Sequence, residues 1–133
     1  MNKLLGIITK ITQSEAIMLV DIDVKGFGMS ALLTDSPFSS SWLKEGNEVF
    51  VIFKETEVSL MKDFSGKISM RNQLPCNVTS VEKGKVIGCV NMLFRDFPIT
   101  SAITSRSVDL LDIKVGDHIT ALIKANEVSV IKV

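Results

Sequence analysis

The sequence is poor in the side chains that most often carry catalysis or bind metals. Its 133 residues include one histidine and two cysteines, Cys76 and Cys89, without CxxC spacing. A single histidine excludes a histidine-rich metal centre, and only that one residue could serve as the base of a histidine-dependent triad. The cysteines stand in apolar or strand-like sequence, which favours buried reduced thiols over a disulfide. No nucleophile is paired with a base, so we expect no catalytic residues and no metal held by direct side-chain coordination.

The sequence also lacks a net charge, tyrosine and long apolar runs. Fifteen basic residues balance fifteen acidic ones, and there is no tyrosine. This argues against a basic groove for nucleic acid and against adhesion to an anionic membrane surface. Apolar stretches such as 16–20 and 49–53 are too short to cross a bilayer, and no signal-peptide pattern is present, so we expect a cytoplasmic protein. Any anion that it binds must be held by local donors.

The most informative feature is an internal repeat. When the sequence is shifted by about 70 residues against itself, the two halves align without a gap. Identical residues recur along the whole alignment, among them Leu4 with Leu74, Thr9 with Thr79, Val20 with Val90, Phe27 with Phe97 and Glu57 with Glu127. Polar, glycine-containing sequence separates the halves. We therefore predict two tandem domains, 1–63 and 69–133, joined by a linker at 64–68.

Each half has the pattern of a small β unit. In the first half, β-branched and aliphatic runs separated by polar breaks predict five strands, at 4–11, 16–23, 28–33, 49–53 and 57–61. The second half repeats the plan. Five short strands with one small helix predict an all-β protein of two tandem OB-like five-stranded barrels. A unit of about 65 residues buries little apolar surface, so we also expect the halves to pack on one another or on other subunits.

One short helix is predicted in each half. In the first half, the segment 34–37 combines a capping residue with proline at the first helical position, and the helix should run toward Leu43. Phe38 and Trp42 would form its buried face or a contact between subunits. In the second half we expect Ser105 to cap the equivalent helix.

Two segments of the second half carry a recognisable pattern. Residues 69–75 read Ser-Met-Arg-Asn-Gln-Leu-Pro, and residues 121–128 read Ala-Leu-Ile-Lys-Ala-Asn-Glu-Val. They resemble the S-A-R-N-x-L-x-G opening and the a-x-I-K-A-x-x-V closing of the molbindins, also called molybdenum-pterin-binding or TOBE-type domains. The resemblance extends over essentially the whole chain as a tandem pair. It implies OB-like barrels, assembly into trimers, and binding of molybdate or tungstate where domains meet.

The resemblance also implies a set of binding residues. Ser69, Arg71 and Asn72 would bind the oxyanion from one domain, assisted by the Met70 backbone, whereas Lys124 and the backbone near Ala125 would come from a neighbouring domain. The chemistry of the ligand agrees, because a tetrahedral dianion only accepts hydrogen bonds and therefore needs donors and cations. A site of donors without a carboxylate also disfavours protonated phosphate, whose O–H would find no acceptor.

The first half departs from this pattern. Met1 stands where the second half has Arg71, and only Asn2 and Lys54 are retained. Glu55 replaces the alanine that follows the lysine. A carboxylate beside a dianion is unfavourable, so we expect a weaker or absent site there. In the second half, Cys76 replaces the glycine of the family pattern.

Several interpretations stay open. The sequence is compatible with storage, buffering or homeostasis of the oxyanion, and with a molybdate-responsive module acting on a transporter or transcription factor in a separate chain, since neither a P-loop nor a helix-turn-helix motif is present. Binding of nucleic acid by an OB fold is a third alternative, which the neutral charge disfavours. We read Asp21 and Asp23 as a solvated strand face and His118 as a turn cap.

Overall fold

The regular structure of the described residues is mainly β-strand. The structure is a computed structural model that describes residues 1–34 and 41–133. The first half contains β1 (Asn2–Ser14), β2 (Ile17–Val24), β3 (Phe27–Leu33), β4 (Glu48–Phe53) and β5 (Ser59–Met61). The second half contains β6 (Asn72–Lys83), β7 (Ile87–Phe94), β8 (Phe97–Thr104), the helix α1 (Ser105–Leu110), β9 (His118–Ile123) and β10 (Ser129–Lys132). Single 3₁₀ turns, Glu55–Glu57 and Ala125–Glu127, precede β5 and β10.

The strands follow from the alternation of apolar and polar residues. In β2, every second side chain is buried, whereas the intervening ones are half-buried or exposed. Such a period of two places one face of the strand against a core. Buried side chains of both halves form one hydrophobic cluster, in which Phe53 and Phe94 are the largest fully buried members. The predicted all-β architecture of two five-stranded sheets is confirmed.

The two sheets exchange their last strands. The first sheet has the order β10-β4-β1-β2-β3, and the second has the order β5-β9-β6-β7-β8. Val130 of β10 lies opposite Val51 of β4, and Leu60 of β5 lies opposite Ala121 of β9. Each sheet therefore takes four strands from one repeat and its fifth strand from the other. The sequence units 1–63 and 69–133 do not coincide with the two sheets.

The exchanged segments also lie against the far edge of each sheet, which curls the sheets into OB-like barrels. The turn Ala125–Glu127 and β10 contact β3, and the turn Glu55–Glu57 and β5 contact β8. In the second barrel the fully buried Ser101 hydroxyl donates to the Val58 carbonyl oxygen at 2.7 Å. This contact joins residues of different repeats.

Hairpin tips form a further contact between the halves. Lys25, in the β2–β3 turn, pairs with Asp96, in the β7–β8 turn, with 2.7 Å between Nζ and Oδ2. The same ammonium lies 4.9 Å from the ring centroid of Phe97. Phe27 packs edge-on against Phe94, with 5.5 Å between the ring centroids. The repeats are thus joined at both their hairpins and their last strands.

Two local predictions are wrong in detail. Thr104, not Ser105, caps α1, because the Thr104 hydroxyl accepts from the Ser107 N–H at 3.0 Å. The Ser105 hydroxyl donates instead to the Gly84 carbonyl oxygen at 2.7 Å. The turn before β9 is capped by Asp117, whose Oδ2 accepts from the Lys114 N–H at 2.8 Å. His118 is the exposed first residue of β9.

The helix predicted in the first half falls mainly on residues 35–40, outside the described residues, and Phe38 lies among them. Trp42 is half-buried and packs against the core. The longest helix in the described ranges has six residues, which is too few to cross a bilayer.

Both cysteines are unpaired. Cys76 is buried and Cys89 is half-buried. Burial raises the pKa of the Cys76 thiol to about 12, because the charged thiolate would lose its hydration. The thiol donates to the Leu74 carbonyl oxygen at 3.3 Å. Cys76 thus behaves as a small apolar core residue.

Candidate functional site

The two motif segments meet at one end of the second sheet. Residues 69–71 lead directly into β6, and Lys124 and Ala125 directly follow β9. These strands pair in antiparallel register with Asn72 opposite Ile123. Arg71 and Lys124 adjoin this last pair, Arg71 just before β6 and Lys124 just after β9. The ends of the two segments therefore adjoin in the second sheet. That Lys124 and Ala125 serve an oxyanion together with Ser69, Arg71 and Asn72 of a neighbouring domain stays a prediction.

The donors at this end differ in exposure. Ser69, Arg71 and Lys124 are exposed, and Met70 and Ala125 are half-buried. Within residues 1–34 and 41–133, neither Arg71 nor Lys124 forms an ion pair. Two exposed cations near one strand end, neither of them in an ion pair within those residues, attract an anion.

The backbone around these cations is held in place locally. Gln73 Nε2 donates to the Met70 carbonyl oxygen at 2.9 Å, which fixes the entry to β6. After β9, the Lys124 carbonyl oxygen accepts from the Glu127 N–H at 3.0 Å and so closes the 3₁₀ turn. The first N–H groups of such a turn have no partner inside it, so the Ala125 N–H is a suitable donor to an oxyanion.

Asn72 occupies a different environment from the other candidates. Its side chain is completely buried and is bonded to the backbone of β3 in the other repeat. The Asn72 Oδ1 accepts from the Ser30 N–H at 2.8 Å, and Nδ2 donates to the Ser30 carbonyl oxygen at 2.9 Å. Asn2 makes the equivalent pair with Thr100 of β8, at 2.8 and 2.9 Å. The only sequence signal for this pairing is that both asparagines and both partners occupy equivalent repeat positions.

Residues of the first repeat line a cleft beside Arg71. The cleft has a volume of about 220 Å³, and its wall includes Asp21, Asp23 and Ser30. The Ser30 hydroxyl donates to Asp21 Oδ1 at 2.6 Å. Asp21 and Asp23 are half-buried in this wall rather than forming a fully solvated face. Because carboxylates repel a dianion, the side of Arg71 away from Asp21 and Asp23 is the favourable one for binding.

The equivalent end of the first sheet is chemically weaker. Lys54 is exposed and follows β4, and Asn2 opens β1. The ammonium group of Met1 pairs with the Glu55 carboxylate, and this hydrogen bond lowers the pKa of Glu55. An ionised carboxylate at this end of the sheet disfavours a dianion. This arrangement favours the expectation of a weaker site in the first half.

A larger cleft of about 370 Å³ is lined by residues of the segment 61–65 and of the strands β6 and β9. Its lining includes His118, Cys76 and Asp63. In the described part of the chain, no three histidine, cysteine or acidic side chains converge as a metal site would require. With the Cys76 thiol protonated at neutral pH, this cleft offers no thiolate for nucleophilic chemistry.

Comparison with known proteins places these features in a family. The model of the TOBE domain matches residues 68–130. The structure of ModG, a cytoplasmic molybdate-binding protein, with molybdate bound, superposes with a TM-score of 0.92 and 32% identity over 98% of this chain and 94% of that one. A molybdate-binding protein from Sporomusa ovata, 42% identical, matches over its entire length and half of this chain, with a TM-score of 0.50.

Sequence relatives include longer proteins. The molybdenum import ATP-binding protein ModC of Brucella abortus is 33% identical over 112 residues, which are 84% of this chain but only 29% of ModC. The chain therefore spans less than a third of that relative. The near full-length match to ModG, together with the TOBE match, shows that the chain belongs to the molbindin, or TOBE-type, family.

Proposed function

We propose that this protein binds molybdate or tungstate without catalysis and serves as a cytoplasmic store or buffer of the oxyanion. The observation that carries the proposal is that Arg71 and Lys124 adjoin the same strand end and that neither forms an ion pair within residues 1–34 and 41–133. The match to ModG, a molybdate-binding protein, over 94% of its length supports the choice of ligand.

The donor set suits a tetrahedral dianion. The Arg71 guanidinium and the Lys124 ammonium supply charge and N–H donors, and the Ser69 hydroxyl adds a neutral donor. The backbone N–H groups of Met70 and Ala125 complete the set. Asn72 belongs to the same segment but acts from an anchored position, since its amide is bonded to Ser30.

We further propose that the binding sites are completed in a homotrimer. A site at a strand end is open to solvent in a single chain, and donors from a second copy would enclose the anion. The two tandem units, 1–63 and 69–133 with the linker 64–68, would then present two unequal kinds of site, with the stronger on the second unit. Light scattering with and without molybdate tests this, and a monomer in both conditions would contradict it.

A molybdate-responsive regulatory role is the second candidate. It is favoured by the relationship to ModC, an import ATP-binding protein of which the matched region is only part. A pull-down with a ModC-type ATPase distinguishes the storage role from the regulatory role. A regulatory module changes its association with that partner when molybdate is added, whereas a store does not.

Thermal unfolding with four anions tests the proposed ligand. Molybdate or tungstate at about 100 times its dissociation constant should stabilise the folded protein by about 2.7 kcal/mol, or raise Tm by about 10 °C. Sulfate and phosphate should have little effect at equal concentration. The rise should be lost in Arg71→Ala and Lys124→Ala. If none of the four anions raises Tm, the proposed function is wrong.

A further inference from the structure

The contact between Asn72 and Ser30 replaces a missing strand. Among the described strands, β3 lies at one edge of the first sheet and pairs with β2 alone. The Ser30 N–H and carbonyl oxygen are bonded by the two ends of one carboxamide, at 2.8 and 2.9 Å. A carboxamide has the same donor and acceptor as a peptide group, so it can continue the pairing of a strand edge. Both Asn72 and Ser30 are buried, at 0% and 4% exposure, so water cannot readily substitute for the bonds.

The same contact between an asparagine carboxamide and a strand backbone occurs in both repeats, so it is a common structural feature of the repeat. Asn2 bonds the Thr100 backbone with the same two distances, although the first half has lost the arginine and serine of the motif. The asparagine therefore has a structural partner whether or not the neighbouring ligand residues are present. This separates its role from that of the side chains that would contact an anion.

We propose that Asn72 is a positioning residue for the oxyanion site, acting through Arg71. This inference rests on the proposed function. Residues 62–71, which lead into β6, belong to no helix or strand. Asn72 is therefore the first residue after this segment that is fixed by strand pairing. Its bonds to Ser30 hold the adjacent Arg71 at the strand end, next to the pair of Asn72 with Ile123 that Lys124 follows. Without them, Arg71 would lose its fixed position while keeping its charge.

The anchor itself is tied to the cleft wall. The Ser30 hydroxyl donates to Asp21 Oδ1, and Arg71 lines the same cleft as Asp21. The position of a ligand residue in the second repeat therefore depends on β2 and β3 of the first repeat. Oxyanion affinity and the contact between the repeats are coupled through one amide group.

A double-mutant cycle measured by calorimetric titration with sodium molybdate tests this role. We expect Asn72→Ala and Arg71→Ala each to weaken binding by about tenfold or more. The double variant should bind no more than about twofold more weakly than Arg71→Ala, because Asn72 acts through Arg71. Amide hydrogen exchange at Ser30 should accelerate in Asn72→Ala, as exchange at Thr100 should in Asn2→Ala.

Ser105→Ala is the matched control. It removes one side-chain bond to a backbone oxygen at a remote site, so it should lower Tm without changing molybdate affinity. If Asn72→Ala does not fold, Asn72→Thr replaces it, since threonine suits a strand but cannot bridge both Ser30 groups.

Three results would overturn the positioning role. Unchanged affinity in Asn72→Ala would show that the anchor does not matter for binding. Additive losses in the double variant would make Asn72 an independent ligand. Absence of molybdate binding by the unaltered protein would remove the proposed function and the positioning role together, whereas either of the first two results leaves the proposed function intact.

Discussion

At the scale of single residues, the structure separates side chains that share a motif. Arg71 and Asn72 are adjacent in sequence, yet the guanidinium is exposed and the amide is fully buried. The repeat and the family pattern were sufficient to select both residues. They could not reveal the partner of Asn72, because Ser30 lies in the other repeat, 42 residues away. A sequence pattern reports which residues recur, but not which of them face solvent.

Cys76 provides a test of burial at this scale. Because its pKa is raised to about 12, the thiol should stay protonated and resist alkylation by iodoacetamide at pH 8. Cys89, which is half-buried, should react faster, and both should react fully in denaturant. Mass spectrometry of the alkylated peptides measures the rates. Equal rapid labelling of Cys76 and Cys89 in the folded protein would contradict the buried position.

At the scale of elements, strands were easier to predict than caps. The alternation of apolar residues predicts a strand wherever one face is buried, and the described strands follow it. By contrast, Thr104 and Ser105 are adjacent residues with similar hydroxyl groups, and either could begin α1. The choice depends on Gly84, which lies near in space and binds the Ser105 hydroxyl.

The helix cap predicts unequal roles for these hydroxyls. Thr104→Ala should destabilise the protein by about 1 kcal/mol, because the Ser107 N–H loses its acceptor. Thr104→Ser, which keeps the oxygen, should restore most of this loss. Urea unfolding measures both values. If Thr104→Ala is as stable as the unaltered protein, the hydroxyl does not cap the helix.

The turn before β9 predicts a dependence on pH. The backbone bond from Lys114, followed by the ion pair with Lys62, lowers the pKa of Asp117 below its ordinary value of 3.8. A lowered pKa stabilises the folded state above pH 3.8, and this contribution is lost as the pH falls through the folded-state pKa. Asp117→Asn should therefore flatten the loss of stability below about pH 4. Urea unfolding at several pH values measures this. If the free energy of unfolding falls equally below pH 4 in Asp117→Asn and in the unaltered protein, Asp117 makes no such contribution.

At the scale of the whole molecule, the exchange of last strands is the feature that the sequence did not predict. The segment 57–61 has the same apolar pattern whether it pairs with β4 or with β9, so composition cannot distinguish the two arrangements. Which strand the segment 57–61 pairs with depends on the path of residues 62–71, which carry the chain into the second repeat. The two repeats form one hydrophobic cluster as a result.

This exchange predicts that one repeat alone cannot form a stable monomer. A fragment of residues 69–133 has β10 but no first sheet to receive it, and its own sheet lacks β5. An unpaired strand and an open sheet edge favour association with a second copy. Light scattering and thermal unfolding should show a dimer or larger assembly, or an unfolded chain. A stable monomer of this fragment would contradict the exchanged topology.

Titration calorimetry is the direct test of the proposal that Arg71 and Lys124 bind molybdate. We predict saturable binding of molybdate to the unaltered protein, weakened about 10- to 100-fold in Arg71→Ala, since a charged hydrogen bond is lost. Lys85→Ala, which removes an exposed lysine elsewhere on the surface, should bind like the unaltered protein. Equal affinity of the Arg71→Ala variant and the unaltered protein would contradict the claim.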